Sequence, residues 1–111
     1  MAADETIKRY KRPPIYSEGE RLLIVSAIRY VADAFISEDD GGDVMFNFMA
    51  DFLRLKPDYL VVCDDGDHPD KKKLCEEHGV EYVVIKREPA KGLPSRCTTD
   101  TLKEIQSRIN D

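Results

Sequence analysis

Leu55 to Leu102, LKPDYLVVCDDGDHPDKKKLCEEHGVEYVVIKREPAKGLPSRCTTDTL, is the stretch whose reading decides the fold. Tyr59 to Cys63 is a continuous, β-rich apolar run after a Pro-Asp turn, the pattern of a strand buried on both faces. Val80 to Ile85 is a second such run. Between them, Pro69 to Gly79 carries helical punctuation, with Pro and acid at its start, Leu74 as an apolar contact and Gly79 as a stop. Strand, helix and strand in this order form a βαβ unit, so the two strands are expected to be parallel with a right-handed crossover.

The rest of the chain is bounded by its size and charge. With 111 residues it reads as one small domain, residues 1–111, with little margin for a core. Charged residues make up 35%, above the roughly 25% of ordinary globular chains, and the net charge of −5 argues against a general surface for nucleic acid or acidic membranes. No run of about 18 apolar residues is present to span a bilayer, and Met1 to Tyr16 lacks a signal-like apolar segment, so a soluble, cytoplasmic protein is expected. Cys63, Cys75 and Cys97 are odd in number and widely spaced, which reads as three reduced thiols rather than a disulfide or zinc framework.

Upstream, residues 1–16 form a basic arm in which Lys8, Arg9, Lys11 and Arg12 precede Pro13 and Pro14. Such a cluster reads either as a solvated loop or as a phosphate-contacting arm. Ser17 and Glu20 have capping-box spacing, and the helix they open is expected to run to about Tyr30, with Arg21 and Arg29 two turns apart near one face. Ala34 to Ser37 is a short strand candidate. The acidic EDDGGD turn, Glu38 to Asp43, lacks the ligand spacing of a calcium loop and leads into a helix expected over Val44 to Leu55.

Downstream of the first strand, Asp64, Asp65 and Asp67 stand at a carboxyl end, where open α/β sheets bind ligands. Asp67 reads as a cap for the following helix, while Asp64 and Asp65 stay open between a site and a turn. His68 and His78 lack the partners of a zinc site, and no metal ligands are assigned. Cys97, Thr98 and Thr99 precede an amphipathic helix containing Leu102, Ile105 and Ile109. Free amides and hydroxyls at a helix start form an anion site, reinforced by Arg87, Lys91 and Arg96, although a plain Thr cap would read the same way.

Three stretches together resemble the cytidylyltransferase-like family of nucleotidyltransferases. KRPPIYSEGERLLIVSAIRYVADAF is similar to its basic-Pro loop, helix and "RYVDEV" strand entry, LKPDYLVVCDDGD to its "KPD, strand, GDD" segment, and IKR with SRCTTD to its Arg and "ISTSD" or "RSTT" helix start. The resemblance implies an α/β fold, a three-layer Rossmann-like parallel sheet, here incomplete, with about three strands and four helices. The family's Gly-x-Phe-Asp turn and His-x-Gly-His motif have no counterpart, Ala32 stands where the family has an acid, and Cys97 stands where it has Ser. The first two strands are thus expected to be lacking, leaving strand edges exposed for a homo-oligomer or a partner chain.

By position, the resemblance places Lys11, Arg12, Arg29 and Arg87 around the phosphates of a nucleotide, Asp64 and Asp65 at its base or sugar edge, and Thr98 and Thr99 on a phosphate. It implies transfer of a nucleotidyl group from CTP or ATP, with Mg2+, to a phosphorylated small molecule, with release of pyrophosphate. Without the histidine motif the chain is expected to bind nucleotide or phosphate and to be catalytically impaired alone, no catalytic residue being assigned. A non-enzymatic interaction module, or a fragment completed in trans by a chain with the histidine motif, is the alternative.

Overall fold

The computed structural model describes residues 1–111, which group into two compact units, Met1–Pro57 and Asp58–Asp111. Five α-helices and two strands are present, with no helix long and apolar enough to cross a membrane.

In the first unit, α1 (Asp4–Tyr10) lies within the stretch that reads as a basic arm, with Thr6 and Ile7 buried. α2 (Glu18–Ser26) starts at the expected capping box: the Glu20 amide donates to Ser17 Oγ at 3.3 Å and the Ser17 amide to Glu20 Oε2 at 2.8 Å. The two helix starts cap each other. The Asp4 amide donates to Glu18 Oε2 (2.8 Å), the Glu18 amide donates to Asp4 Oδ2 (3.2 Å), and Arg21 Nη2 pairs with Asp4 Oδ1 at 2.7 Å. Arg21 also donates to the Ala2 and Tyr16 carbonyls, so this arginine knits the unit together instead of facing solvent.

The Arg21 guanidinium holds the Asp4 carboxyl below its usual range. A depressed native pKa contributes stability that is complete above the unfolded value near ~3.9 and is lost as pH falls through the native value. Thermal melts taken from neutral pH to below that range should therefore show the first unit weakening on the acid side. Asp4→Asn should lower the neutral-pH melting temperature and flatten this acid dependence, and an unchanged profile would exclude Asp4 as its source.

Four expectations for this unit are corrected. α2 ends at Ser26 rather than near Tyr30: its helical bonds give way to tighter ones from Ile28 N to Val25 O and from Val31 N to Ile28 O. Arg29 therefore lies beyond the helix and stacks on Tyr30, 5.3 Å from the ring centre. Ala34 to Ser37 forms no strand; a single parallel bridge, Ala2 with Ser37, is all that pairs there, because a strand needs a neighbouring edge over several residues.

The helix expected over Val44 to Leu55 is broken. A single 3-10 turn, Val44–Phe46, capped by Asp43 Oδ1 accepting from the Met45 amide at 3.0 Å, precedes α3 (Met49–Leu55). Phe48 sits between the rings of Phe46 and Phe52, 6.1 Å from each, and Phe52 is buried. α3 ends on Lys56, whose φ of 46° is left-handed and stops the helix before Pro57.

In the second unit, β1 (Tyr59–Cys63) and β2 (Glu81–Ile85) pair in parallel, Tyr59 with Glu81 through Cys63 with Ile85. α4 (Pro69–Glu77) crosses between them and buries Leu74 and Cys75. It closes as the sequence predicts: Gly79 takes φ 67°, and the Val80 amide bonds back to Cys75 O at 2.9 Å. α5 (Thr98–Ile109) follows a long connection.

The α/β class and the parallel crossover agree with the sequence reading. The sheet, however, has two strands rather than about three, and there are five helices rather than four. The strands are also not buried on both faces, since Tyr59 (59%), Val61 (54%) and Ile85 (48%) remain exposed. In the paired register Tyr59, Val61 and Ile85 share the face opposite Leu60, Val62 and Tyr82.

Candidate functional site

The carboxyl ends of β1 and β2 lie side by side, and both carry charge. β1 runs into a turn, Asp64–Gly66, and β2 into Lys86 and Arg87. Arg87 Nη1 pairs with Asp65 Oδ2 at 2.8 Å, and the Arg87 amide reaches Asp64 Oδ1 at 3.4 Å. The Asp65 carboxylate raises the Arg87 pKa, and Arg87 stays charged. Parallel strands thus deliver Asp64, Asp65 and Arg87 to one place, and the chain beyond β2 leads through a connection to the N-terminus of α5.

At that N-terminus the cap is Cys97, not a threonine. Its Sγ accepts from the Asp100 amide at 3.4 Å, and its carbonyl accepts from Thr101 Oγ1 at 3.0 Å. Thr98 and Thr99 occupy the first two helical positions and are exposed, with their amides in the first turn, where helices leave donors unpaired.

A second arrangement holds the Asp64 to His68 turn in shape. Tyr82 Oη donates to Asp67 Oδ1 at 2.7 Å and accepts from the His68 amide at 3.2 Å. Burial and the Asp67 bond push the Tyr82 hydroxyl above its usual pKa, so it remains a donor. Asp67 is therefore tied to β2 and does not cap α4. His68 is the cap, its Nδ1 accepting from the Asp70 amide at 3.1 Å. Sequence reading missed Tyr82 because an aromatic residue inside a strand reads as packing. Tyr82→Phe should cost about 1 kcal/mol of stability, one net hydrogen bond. Urea unfolding checks this, and an unchanged midpoint would show that the hydroxyl contributes nothing.

His78 Nδ1 donates to Leu74 O at 2.9 Å and ends α4. The two histidines thus serve the two ends of one helix.

The remaining sequence candidates, Lys11, Arg12 and Arg29, belong to the first unit. Lys11 lies over the Tyr10 ring at 5.3 Å, and Arg12 is exposed. Lys8 and Arg9 of the same basic cluster are engaged within the unit: Lys8 pairs with Glu5, and Arg9 with Asp39 and the Gly42 carbonyl. A cavity of about 490 Å³ in this unit is lined by Phe35, Glu38, Asp39, Asn47, Asp51 and Arg54 among others. No group of three or more His, Cys, Asp or Glu side chains is arranged to hold a metal ion.

Among known proteins, the chain is 31% identical over 111 residues to the FAD synthase of Methanopyrus kandleri, covering 98% of this chain and 67% of that one. The FAD synthase of Methanobrevibacter ruminantium is 30% identical over 110 residues, 96% of this chain and 69% of that one. The chain belongs to the FAD synthase family. A further FAD synthase, from Pyrococcus horikoshii, is 35% identical over 89 residues, 78% of this chain and 57% of that one. The chain therefore spans about 57–69% of the length of these FAD synthases. No family model matches the chain, and no solved structure does.

Proposed function

We propose that this chain carries a nucleoside triphosphate site of the FAD synthase kind, in which Arg87 and the start of α5 receive the phosphates. The observation that carries this reading is the Asp64, Asp65 and Arg87 cluster at the carboxyl ends of β1 and β2, in a chain of this family. The relatives' name favours ATP over CTP, and flavin mononucleotide as the phosphorylated small molecule.

In the full reaction, a phosphate oxygen of the flavin mononucleotide attacks the α-phosphorus of ATP. The bond to the bridging oxygen breaks, and pyrophosphate leaves with the electron pair. Thr98 and Thr99 would orient the phosphates through amides and hydroxyls, while Arg87 would offset the charge that grows on the departing oxygens. Asp64 and Asp65 face the nucleoside in this reading, which rests on the Asp58–Asp111 unit alone; Lys11, Arg12 and Arg29 belong to the other unit.

Mg2+, when bound, supplies charge neutralisation between phosphate oxygens. Asp65 is engaged by the Arg87 guanidinium and Asp64 accepts from the Arg87 amide, so the residues fit an ion that arrives with the triphosphate better than one held by protein alone. The chain itself binds nucleotide and turns over poorly, because His68 and His78 cap α4 and supply no pair of imidazoles for the transition state.

Calorimetric titration with ATP, CTP and flavin mononucleotide tests the binding, and pyrophosphate release tests the turnover. Absence of heat with every nucleotide would overturn the site. Robust pyrophosphate release by the isolated chain would overturn the impairment.

A further inference from the structure

We propose that Tyr82 is a positioning residue for the nucleotide: its hydroxyl keeps the turn that carries Asp64 and Asp65 in binding shape once Arg87 has released that turn to take a phosphate. The inference rests on the nucleotide site proposed above, and every group it uses lies in the Asp58–Asp111 unit.

Three side chains fasten the segment between β1 and α4. Arg87 holds its head, with the guanidinium on Asp65 Oδ2 at 2.8 Å and the backbone amide 3.4 Å from Asp64 Oδ1. Lys71 holds its middle, Nζ donating to the Gly66 carbonyl at 2.8 Å. Tyr82 holds its tail at two adjacent residues, since Oη donates to Asp67 Oδ1 at 2.7 Å and accepts from the His68 amide at 3.2 Å. Asp67 and His68 are both extended, with ψ of 134° and 136°, and form the link by which the turn enters α4. One hydroxyl therefore fixes a side chain and a backbone amide where the direction of the loop is set.

These ties do not survive ligand binding equally. A phosphate competes for the Arg87 guanidinium, and the ion pair it replaces is more than half exposed on both partners, so the exchange costs little. The arginine side chain then belongs to the ligand, and the turn keeps Lys71 and Tyr82. A lysine holds through one bond at the end of a stem with many rotamers, whereas a phenol has few to lose. Tyr82 also stands mid-strand, paired with Leu60, so its hydroxyl is anchored by the sheet itself. A turn ordered in advance spares the ligand the cost of ordering it. Tyr82 touches no ligand in this scheme; it acts through Asp67 and the His68 backbone.

ATP titration calorimetry on the full chain, with circular dichroism confirming each fold, tests the role. Tyr82→Phe should weaken ATP binding by about two- to tenfold, the worth of one net hydrogen bond. Asp67→Ala removes the same bond from the other side and should match it, and the double variant should be no weaker than either single one. Asp67→Asn, whose amide oxygen still accepts, should keep the unaltered affinity, a rescue that a general loss of stability would not show. Tyr59→Phe, at the opposite end of β1, should change nothing. Unaltered affinity in Tyr82→Phe, additive losses in the double variant, an Asp67→Asn chain as weak as Asp67→Ala, or an equal loss in Tyr59→Phe would each overturn the role of Tyr82 while leaving the nucleotide site in place. An unaltered chain that gives no heat with any nucleotide would overturn both.

Discussion

Arg87→Ala is expected to weaken ATP binding by about ten- to a hundredfold, the loss of one or two hydrogen bonds to a charged ligand. Arg87 stands where the two parallel strands end, and its guanidinium is held over the site by Asp65 at 2.8 Å. That ion pair is more than half exposed on both partners, so it is worth only about 0–1 kcal/mol and yields readily to a phosphate. Asp65→Asn should therefore act in the opposite direction, tightening ATP binding by up to about fivefold, since Arg87 no longer has a carboxylate to leave. Titration calorimetry at one fixed salt concentration reads both variants, with circular dichroism showing that the fold is kept. Equal affinity in the unaltered and Arg87→Ala chains would remove Arg87 from the site.

The second large effect is on stability. Leu74→Ala should destabilise the Asp58–Asp111 unit by about 2–5 kcal/mol, a lost apolar side chain plus the void it leaves. Leu74 is 8% exposed, and with Cys75 and Val80 it makes up the buried apolar set of that unit. Small domains hold only about 5–15 kcal/mol in total, so this one substitution is expected to leave a substantial fraction of the unit unfolded. Urea denaturation followed by circular dichroism, with amide exchange resolving β1 and β2, measures it. A loss below about 1 kcal/mol would mean that α4 does not depend on this contact.

The site was legible to different depths. Asp64 and Asp65 are legible at a strand's carboxyl end, and only the family resemblance sets Arg87 on the same nucleotide; the structure brings Arg87 to 2.8 Å from Asp65. The cap at Cys97 was not legible, since Thr98 and Thr99 carry the stronger capping chemistry in isolation, and only the backbone path sets which residue precedes the first helical turn. Tyr82 was hidden in a strand-like run, and its bond to Asp67 spans fifteen positions. Arg21 and Arg9 read as surface charges or phosphate contacts, yet both bind acids and carbonyls distant in sequence, pairings that no local spacing encodes.

The sequence by itself determined the βαβ unit. Pro69 at the helix start, Gly79 at its end and two β-rich runs act within a few residues of themselves, so β1, α4 and β2 follow from local chemistry. The Ser17 and Glu20 box belongs to the same class of signal. Only the tertiary structure decided whether Ala34 to Ser37 becomes a strand, where α2 stops, and how Val44 to Leu55 divides around Asn47 and Phe48. Those outcomes depend on which distant surface each segment meets. A strand exists only beside another edge, and an apolar helix face holds its length only when something covers it. Covering is also what Tyr59 and Val61 lack within this chain, because one crossover helix reaches one face of a two-stranded sheet and leaves the other open.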